Sequence, residues 1–364
     1  MADFQVFEER RERLRPTLKQ ERLNAFLTTA LPNIRYLSGF TGSNGSLLIT
    51  AEQAILFTDP RYEAQAPLET DCEVKIGRGP LSKEIARVAK RWRLKSVGFE
   101  RNRLSFESYE DLKELLKGIR LKPLNGVVED LRMVKSPAEI ATIRASVLLN
   151  SAALEQALHY FKTSMSETDL AAEIDYRMRS LGADGTAFDT IVASGPRSAL
   201  PHAQPTGLPI QANELLLIDM GASVAGYASD MTRTYAVGKL NSKKRRIYQA
   251  VLESQLAAIA AVRPGVSCAS VDQAARDVLR GYGLDKMFVH STGHGLGLEI
   301  HERPRVGRKE KKKLETGMAI TIEPGVYEQG TGGVRIEDTV VVTSNGCEIL
   351  TPSGKELAIL QGEP

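Results

Sequence analysis

The N-terminal part of the chain alternates between short apolar runs and longer charged stretches. Apolar runs rich in β-branched and aromatic side chains predict strands at 25–29, 46–50, 54–58, 73–77 and 97–100. Apolar positions at helical spacing predict helices at 5–23, 82–93 and 106–118. Alternation of this kind favours an α/β layer built around a central sheet.

A different pattern begins near residues 126–137. Ser136 and Glu139 have the spacing of a capping box at the start of a long helix to about residue 161, and Ser166 and Asp169 repeat that spacing before a second helix. Later helices are predicted at 243–262 and 270–281, and strands at 189–194, 214–219, 227–236, 317–323 and 334–342. This order of elements favours an α+β domain.

The length of 364 residues exceeds that of one ordinary domain. We therefore predict an α/β N-terminal domain at residues 1–130 and an α+β domain at residues 131–364. With 42% hydrophobic and 26% charged residues, the chain can bury a large core. A net charge of +3 is close to neutral for this length, which argues against a nucleic-acid partner and against a membrane surface.

The three cysteines, Cys72, Cys268 and Cys347, are widely spaced and odd in number. They argue against a disulfide framework and for a reducing compartment, and the lack of a CxxC motif argues against a thiolate zinc site. The N-terminal segment is charged instead of apolar, and no run is long enough to cross a bilayer. We therefore expect a cytoplasmic protein.

Candidate chemistry begins with two acidic residues in a predicted hairpin, 215-LLLIDMGASVAGYASDMTRT-234. Asp219 ends an apolar strand, and Asp230 lies on the strand that returns. With a turn centred on Val224 and Ala225, the two carboxylates face each other with Cβ atoms about 4.5–5.5 Å apart. Two anions at that distance repel, and a divalent cation would turn the repulsion into ligation.

A second acidic hairpin is predicted in 318-MAITIEPGVYEQGTGGVRIEDTVVV-342. A turn centred on Gly330 places Glu323 opposite Glu337. Arg335 lies two residues from Glu337, so both project from the same face of the sheet. One acidic pair of this kind is commonly a surface feature, whereas two pairs, each after an apolar strand, favour a metal site.

Four of the five histidines lie between residues 202 and 301. His290, His294 and His301 share a glycine-rich segment, and His202 lies upstream, whereas His159 falls in a predicted helix and is interpreted as a surface residue. One neutral imidazole would complete a set of four carboxylates, whose charge balances two divalent cations. Such cations lower the pKa of a shared water toward neutrality. The other histidines would orient substrate and stabilise an oxyanion.

Glycines surround these histidines at positions 293, 295 and 297, where they would let the backbone approach a ligand closely. The sequence offers no competing chemistry, because it lacks a G-x-S-x-G elbow, a P-loop and a complete dinucleotide-binding fingerprint.

The site segments resemble those of the pita-bread metallopeptidases, and within them the Xaa-Pro peptidases, prolidase and aminopeptidase P. The resemblance rests on 219-DMGASVAGYASDMTRT-234, 290-HSTGHGLGLEIHE-302 and 321-TIEPGVY-327. Nearer the N-terminus, 33-NIRYLSGFTGSNGSLLIT-50 and 58-TDPRY-62 resemble the creatinase/prolidase N-terminal domain. The resemblance covers nearly the whole chain. It implies an α/β N-terminal domain, an α+β pita-bread catalytic domain, hydrolysis of the bond before proline, and a homodimer.

The resemblance also implies a role for each candidate metal ligand. Asp219 would hold one metal ion, Asp230 and Glu337 would bridge two ions, and His294 and Glu323 would hold the second. Glu323 would in addition carry a proton from water to the leaving proline nitrogen. An oxygen-rich ligand set suits Mn²⁺ or Co²⁺, and Zn²⁺ stays open.

Further roles follow from the same resemblance. His202, His290 and His301 match substrate-binding histidines, of which His202 and His301 would also serve catalysis. Arg335 matches a catalytic-site arginine beside the bridging carboxylate. Arg305 matches an arginine with which prolidases hold the C-terminal carboxylate of a dipeptide. The substrates implied are proline-containing peptides.

Three alternatives remain open. A metal-free creatinase-like hydrolase shares both domains, and a non-catalytic peptide-binding module shares the fold, but relatives of both kinds lack part of the ligand set. Methionine aminopeptidase shares the ligands but generally lacks a domain like residues 1–130. The sequence does not separate dipeptidase from aminopeptidase, although Arg305 and the short loop from Glu323 to Glu337 favour dipeptides.

Overall fold

The computed structural model describes residues 4–361, which form two compact units that divide between Arg132 and Met133. The first unit is built on a mixed six-stranded sheet, in which β1–β2 and β2–β3 are antiparallel and the other neighbours parallel. In the order β4-β3-β2-β1-β5-β6, its strands are β1 (Ala25–Thr28), β2 (Ser46–Thr50), β3 (Ala54–Thr58), β4 (Glu73–Ile76), β5 (Ser96–Glu100) and β6 (Arg120–Leu124).

All five strands predicted for this unit are present, and β6 was missed. Two of the five residues in its sequence, RLKPL, are charged, and it contains Pro123, which lacks a backbone N–H. Proline is tolerated there because β6 lies at the edge of the sheet.

Helices of the first unit pack on this sheet. Ile85, Val88 and Ala89 of α4 share a core cluster with Leu48 and Phe57 of the sheet. The helices are α1 (Gln5–Gln20), α2 (Leu31–Ser38), α3 (Ala66–Glu69), α4 (Leu81–Arg91), α5 (Phe106–Leu115) and α6 (Val127–Arg132), with a 3₁₀ turn at Pro60–Tyr62. The three predicted helices are confirmed as α1, α4 and α5.

The second unit begins with the long helix predicted from the capping box. The hydroxyl of Ser136 accepts from the backbone N–H of Glu139, whose carboxylate accepts from the N–H of Ser136. Ser166 and Asp169 form the same arrangement. The helices are α7 (Pro137–His159), α8 (Glu167–Ser180), α9 (Ser242–Ala261) and α10 (Cys268–Gly281), with 3₁₀ turns at Gly195–Ala199 and Asp285–Met287.

The strands of the second unit form four sheets, ordered β11-β10-β7, β20-β12-β9-β8, β14-β13-β15-β18-β19 and β16-β17. They are β7 (Gly185–Thr186), β8 (Ile191–Ser194), β9 (Glu214–Met220), β10 (Ala222–Val224), β11 (Tyr227–Ala228), β12 (Met231–Val237), β13 (Gly293–Gly295), β14 (Glu302–Val306), β15 (Ala319–Ile322), β16 (Gly325–Glu328), β17 (Gly332–Arg335), β18 (Asp338–Val342), β19 (Cys347–Ile349) and β20 (Ile359–Leu360).

Side-chain alternation along β9 determines the face of the strand on which Asp219 lies. Leu216 and Ile218 belong to the core cluster that contains residues of α7 and α8. Leu217 points the other way and packs with Tyr327. Asp219 has the parity of Leu217, so it lies on the face that turns away from these two helices.

The predicted register of the first acidic hairpin is wrong by two residues. The turn lies one position later than expected, at Ala225 and Gly226, and both have positive φ, 47° and 74°, as a type I′ turn requires. As a result Asp219 pairs with Thr232 instead of Asp230. Asp230 lies in the irregular stretch between β11 and β12.

The predicted register of the second hairpin is confirmed. Its two ladders, β15–β18 and β16–β17, share one register centred on Gly330. Glu323 and Glu337 lie opposite each other in the gap between the ladders. Between residues 4 and 361 there is no helix with the length and hydropathy needed to cross a membrane.

Candidate metal centre

Three of the five predicted ligands meet at one point. Asp230, His294 and Glu337 each offer a ligand atom, and these atoms lie within 4.8 Å of one another. His294 Nε2 is 3.5 Å from Asp230 Oδ2 and 3.3 Å from Glu323 Oε1. Glu323 therefore joins the group, and four of the five predicted ligands cluster at one point.

The backbone places these side chains where regular pairing stops. The N–H of Glu323 donates to the carbonyl of Thr292 at 2.7 Å, and the N–H of Glu337 donates to the carbonyl of Thr232 at 3.1 Å. Each residue thus leaves its own hairpin and joins a neighbouring segment. The carbonyl of Asp230 accepts from the hydroxyl of Thr339 at 3.1 Å, which fixes the irregular stretch.

Asp219, the fifth predicted ligand, is held by an arginine. Its Oδ2 accepts from Arg335 Nη2 at 2.6 Å. Thr232, which pairs with Asp219 along the ladder, donates to Glu337 Oε2 at 2.8 Å and accepts from Arg335 Nε at 2.9 Å. The expectation that Arg335 and Glu337 share a face is confirmed. Thr232 was not identified from the sequence, because the predicted register placed Asp230 opposite Asp219 in its stead.

Crowded negative charge perturbs the acids. Burial, followed by the charges of Glu337 and Asp219, raises the pKa of Asp230 well above its ordinary value. Burial and the charges of Glu323 and Asp219 do the same to the pKa of Glu337. Burial also opposes ionisation of Glu323, but the hydrogen bond and charge of His294, together with the charge of Arg335 and other nearby groups, hold the pKa of Glu323 below its usual range.

The donor set fits divalent cations. Among the residues that the structure describes, Asp219 Oδ1 and Glu337 Oε1 are buried oxygens with no hydrogen-bond partner. Unpartnered buried carboxylate oxygens are costly unless a cation neutralises them. Four carboxylates and one imidazole are ligands that suit Mn²⁺, Co²⁺ or Zn²⁺. The chemistry of these residues therefore fits divalent metal ions.

Two of the candidate substrate histidines lie exposed beside the cluster. The ring centroid of His301 is 4.4 Å from that of His294. Burial, and next the positive charge of His294, lowers the pKa of His301. A charge on His202 lowers the pKa of both His290 and His301, which places His202 near the two of them.

His290 takes part in a continuous hydrogen-bond chain that the sequence did not reveal. Its Nδ1 lies 2.8 Å from the carbonyl of Ser291, which can only accept, so Nδ1 carries a proton. In the neutral ring Nε2 then accepts from the hydroxyl of Tyr327 at 2.8 Å, and that hydroxyl accepts from Arg335 Nη1 at 2.8 Å. Burial raises the pKa of Tyr327 to about 12, so its hydroxyl stays protonated. A substrate contact by His290 requires the exchange of one of these bonds.

Strand alternation could have revealed Tyr327. It lies two residues from Gly325, the ladder partner of Arg335, and so shares a face with that arginine. A Cβ at Gly325 would lie 2.5 Å from the Tyr327 hydroxyl oxygen, so glycine is required for this packing.

Arg305 lies opposite His294 in the ladder between β13 and β14. Directly opposed residues of an antiparallel pair project from one face, so Arg305 and His294 point the same way. Arg305 is exposed and donates from Nε to Ser291 Oγ at 3.1 Å.

The glycines around His294 serve strand packing. A Cβ at Gly293 would lie 1.9 Å from the carbonyl oxygen of Thr321, and one at Gly295 would lie 2.2 Å from that of Arg303. The expected close approach of backbone is thus to neighbouring strands. His159, as predicted, is exposed at the end of α7.

An α+β unit that brings four carboxylates and an imidazole together has the donor set of a metal-dependent hydrolase. Residues 141–344 match the model of metallopeptidase family M24, and residues 10–134 match the creatinase/prolidase N-terminal domain. The chain belongs to metallopeptidase family M24, and its fold is that of the pita-bread enzymes.

Relatives, two of them solved structures, match the chain over nearly its whole length. An Xaa-Pro dipeptidase from Bacillus anthracis is 39% identical, covers 97% of this chain and 100% of its own, and superimposes with a TM-score of 0.95. An X-Pro aminopeptidase from Thermotoga maritima is 34% identical, with coverage of 96% and 99% and a TM-score of 0.89. The Xaa-Pro dipeptidase of Pyrococcus horikoshii is 36% identical over 97% of this chain and 99% of its own.

Proposed function

We propose that this protein is a two-metal peptidase that hydrolyses the Xaa-Pro bond of dipeptides or of peptide N-termini. The observation that carries the proposal is the meeting of Asp230, His294 and Glu337 at one point in a chain of a metallopeptidase family. Relatives named as Xaa-Pro dipeptidases match the chain over nearly its whole length, which supports proline-containing peptides as substrates.

We assign the metal ligands by position. Asp219 would hold one ion, Asp230 and Glu337 both ions, and His294 and Glu323 the second. Bound cations would supply Lewis-acid activation of a water and of the scissile carbonyl. The oxygen-rich donor set supports Mn²⁺ as the working metal, with Co²⁺ and Zn²⁺ as alternatives.

Side chains of the protein then complete the hydrolysis. Glu323 would act as the general base and accept a proton from the attacking water. It delivers that proton to the proline nitrogen, so the C–N bond breaks and the amine leaves as the acid forms. His202 and His301 donate to the carbonyl oxygen as it gains negative charge. Arg335 keeps Asp219 oriented.

Selection of proline follows from the substrate's own chemistry. The Xaa-Pro bond is a tertiary amide without an N–H, so the site needs no acceptor for that proton. Arg305, on the face of His294, would pair with the C-terminal carboxylate of a dipeptide.

The remaining parts of the proposal concern the whole molecule. We assign catalysis to residues 131–364 and interpret residues 1–130 as the creatinase/prolidase-like domain, which the two family matches support. The resemblance of that domain supports a homodimer. Three unpaired cysteines support a cytoplasmic location.

A chelation experiment tests the function. Hydrolysis of Ala-Pro is measured for the purified protein as isolated, after complete removal of metal with EDTA, and after return of Mn²⁺, with Ala-Ala as the matched substrate. We expect activity on Ala-Pro that disappears with EDTA and returns with Mn²⁺. Full activity after chelation would indicate the creatinase-like alternative, and a protein without metal or turnover would indicate a peptide-binding module.

A further inference from the structure

The three candidate substrate histidines lie on separate segments of the second unit, and an ion pair contacts each of these segments. The pairs are Glu167–Arg197 for the segment of His202, Asp272–Arg276 for that of His290, and Lys135–Glu302 for that of His301. The pair Asp272–Arg276 differs from the others because both of its members lie on a helix, α10, outside the segment that they contact.

Asp272 and Arg276 are one helical turn apart and fully enclosed. Arg276 Nε lies 2.7 Å from Asp272 Oδ2, and Nη2 lies 3.2 Å from Oδ1, so the pairing is bidentate. Asp272 is 0% and Arg276 4% exposed. Burial of two charges costs much of the energy that their attraction returns, so such a pair is weak evidence of a stabilising role.

The remaining hydrogen-bonding groups of the pair hold the segment that carries His290. Arg276 donates to the carbonyl of Phe288 at 3.0 Å and to that of His290 at 2.5 Å. Asp272 Oδ1 accepts from both the backbone N–H and the hydroxyl of Thr292, at 3.2 and 2.9 Å. The pair therefore fixes the backbone on both sides of the imidazole.

Ring contacts and one further backbone bond extend this clamp into the site. The guanidinium of Arg276 lies 4.1 Å from the ring centroid of Phe288, whose ring meets that of His290 edge-on at 5.0 Å. The carbonyl of Thr292 accepts from the N–H of Glu323 at 2.7 Å. The same clamp thus reaches both His290 and the acid assigned to proton transfer.

We propose that Asp272 and Arg276 are positioning residues, which hold His290 in the orientation that bonds Tyr327. The inference rests on the proposed peptidase function for its catalytic consequence. An exposed pair on the same helix, Asp277–Arg280, makes no hydrogen bond to the His290 segment among the described residues, so it provides a matched control.

A double-mutant cycle separates positioning from general stability. Arg276→Met, His290→Ala, their combination and Arg280→Met are assayed with Ala-Pro and Mn²⁺, each rate being divided by the folded fraction. Since misplacement of a catalytic group by 1 Å can cost about 100-fold, we expect Arg276→Met to lower kcat/KM by at least tenfold. Arg280→Met should stay within about twofold, and so should Arg276→Met when added to His290→Ala. The hydrogen bonds of Arg276 to this segment go to the carbonyls of Phe288 and His290, whereas Asp272 holds Thr292 and through it Glu323.

A second readout does not depend on catalysis. The imidazole nitrogen NMR signals of the EDTA-treated protein report which ring nitrogen of His290 carries the proton. The protein has five histidines, and the signal of His290 is identified as the one that is missing from the spectrum of His290→Ala. Arg276→Met should shift this signal and Arg280→Met should not. If Arg276→Met does not fold, Asp272→Asn, which keeps the shape of the acid, replaces it.

The proposal would be overturned if Arg276→Met lowered kcat/KM by the same factor in the wild type and in His290→Ala. An unchanged NMR signal of His290 in Arg276→Met would overturn it as well. A wild-type protein inactive on Ala-Pro would instead refute the proposed function, and the NMR comparison would still decide whether the pair orients His290.

Discussion

Arg335 donates from Nη2 to Oδ2 of Asp219 across 2.6 Å, with 4% of the arginine side chain and 14% of the aspartate exposed. An arginine of the protein therefore already balances the charge of this candidate ligand. Its other oxygen, Oδ1, has no partner among the described residues and is left for a cation.

Removal of Arg335 should destabilise the metal-free protein. Arg335→Met leaves Asp219 as a buried, uncompensated anion, and breaking a buried pair in this way costs about 3–5 kcal/mol. We expect the free energy of unfolding, measured with urea in EDTA at pH 7, to fall by about that amount. Arg144→Met, which breaks an exposed pair with Glu348 in the same unit, should cost less than about 1 kcal/mol. If Arg335→Met and Arg144→Met lowered the free energy of unfolding equally, Arg335 would not be needed to neutralise a buried Asp219.

Loss of either carboxylate that we propose to hold both ions should remove metal and turnover together. Asp230→Ala and Glu337→Ala each delete an oxygen from the cluster around His294. Removal of a residue that hydrogen-bonds a metal ligand typically lowers metal affinity or activity by about 10–100-fold. We therefore expect the loss of a direct ligand to lower the rate of Ala-Pro hydrolysis by more than about 100-fold. Elemental analysis should show depleted metal. Asp277→Ala, at an exposed position on α10, is the control. A variant with full metal content and activity would refute the bridging role.

The neutral state of His290 gives stability a pH dependence. Burial, aided by the charge of Arg335, lowers the pKa of His290 below 6.5, whereas the unfolded chain titrates near that value. As the pH falls through 6.5, the unfolded chain binds a proton that the folded chain does not. The free energy of unfolding therefore falls with acidification, and its full value is present only above this pH range.

Comparison with His290→Gln isolates this effect. The difference in free energy of unfolding between wild type and variant, measured in EDTA from pH 5 to pH 8, should rise with pH and become constant above the ordinary histidine range. If the difference in free energy of unfolding did not change with pH, His290 would have the same pKa in the folded and the unfolded chain.

A methyl group beside His294 should disrupt the centre. The Cβ of Gly293→Ala would meet the Thr321 carbonyl oxygen at 1.9 Å, and backbone cannot move aside easily. We expect a loss of at least about 3 kcal/mol in stability, and reduced metal content. Gly281→Ala, where nothing lies within 4 Å, should be tolerated. Thermal unfolding and elemental analysis of both variants provide the check.

The sequence predicted most elements because hydrophobic period and capping residues are local signals. Registers depend on the turn. Gly330 marked the second hairpin correctly, whereas Ala225 adopts a positive φ that its residue type does not indicate, so the Asp219–Asp230 pairing was wrong. Strand alternation carried a signal for Tyr327, which the sequence reading missed. The clamp on α10 acts through contacts between distant segments and has no local signature.

The backbone N–H groups of Glu323 and Glu337 bond to segments other than their own hairpin. Their carboxylates come into place only when strands far apart in the chain have already joined, so a half-folded molecule offers cations no complete site. Because a ligand that binds only the native state stabilises it by mass action, metal supply would control how long the whole catalytic unit survives as well as how fast it works. Scarcity of metal would then shorten the lifetime of the protein in the cell before any substrate is present.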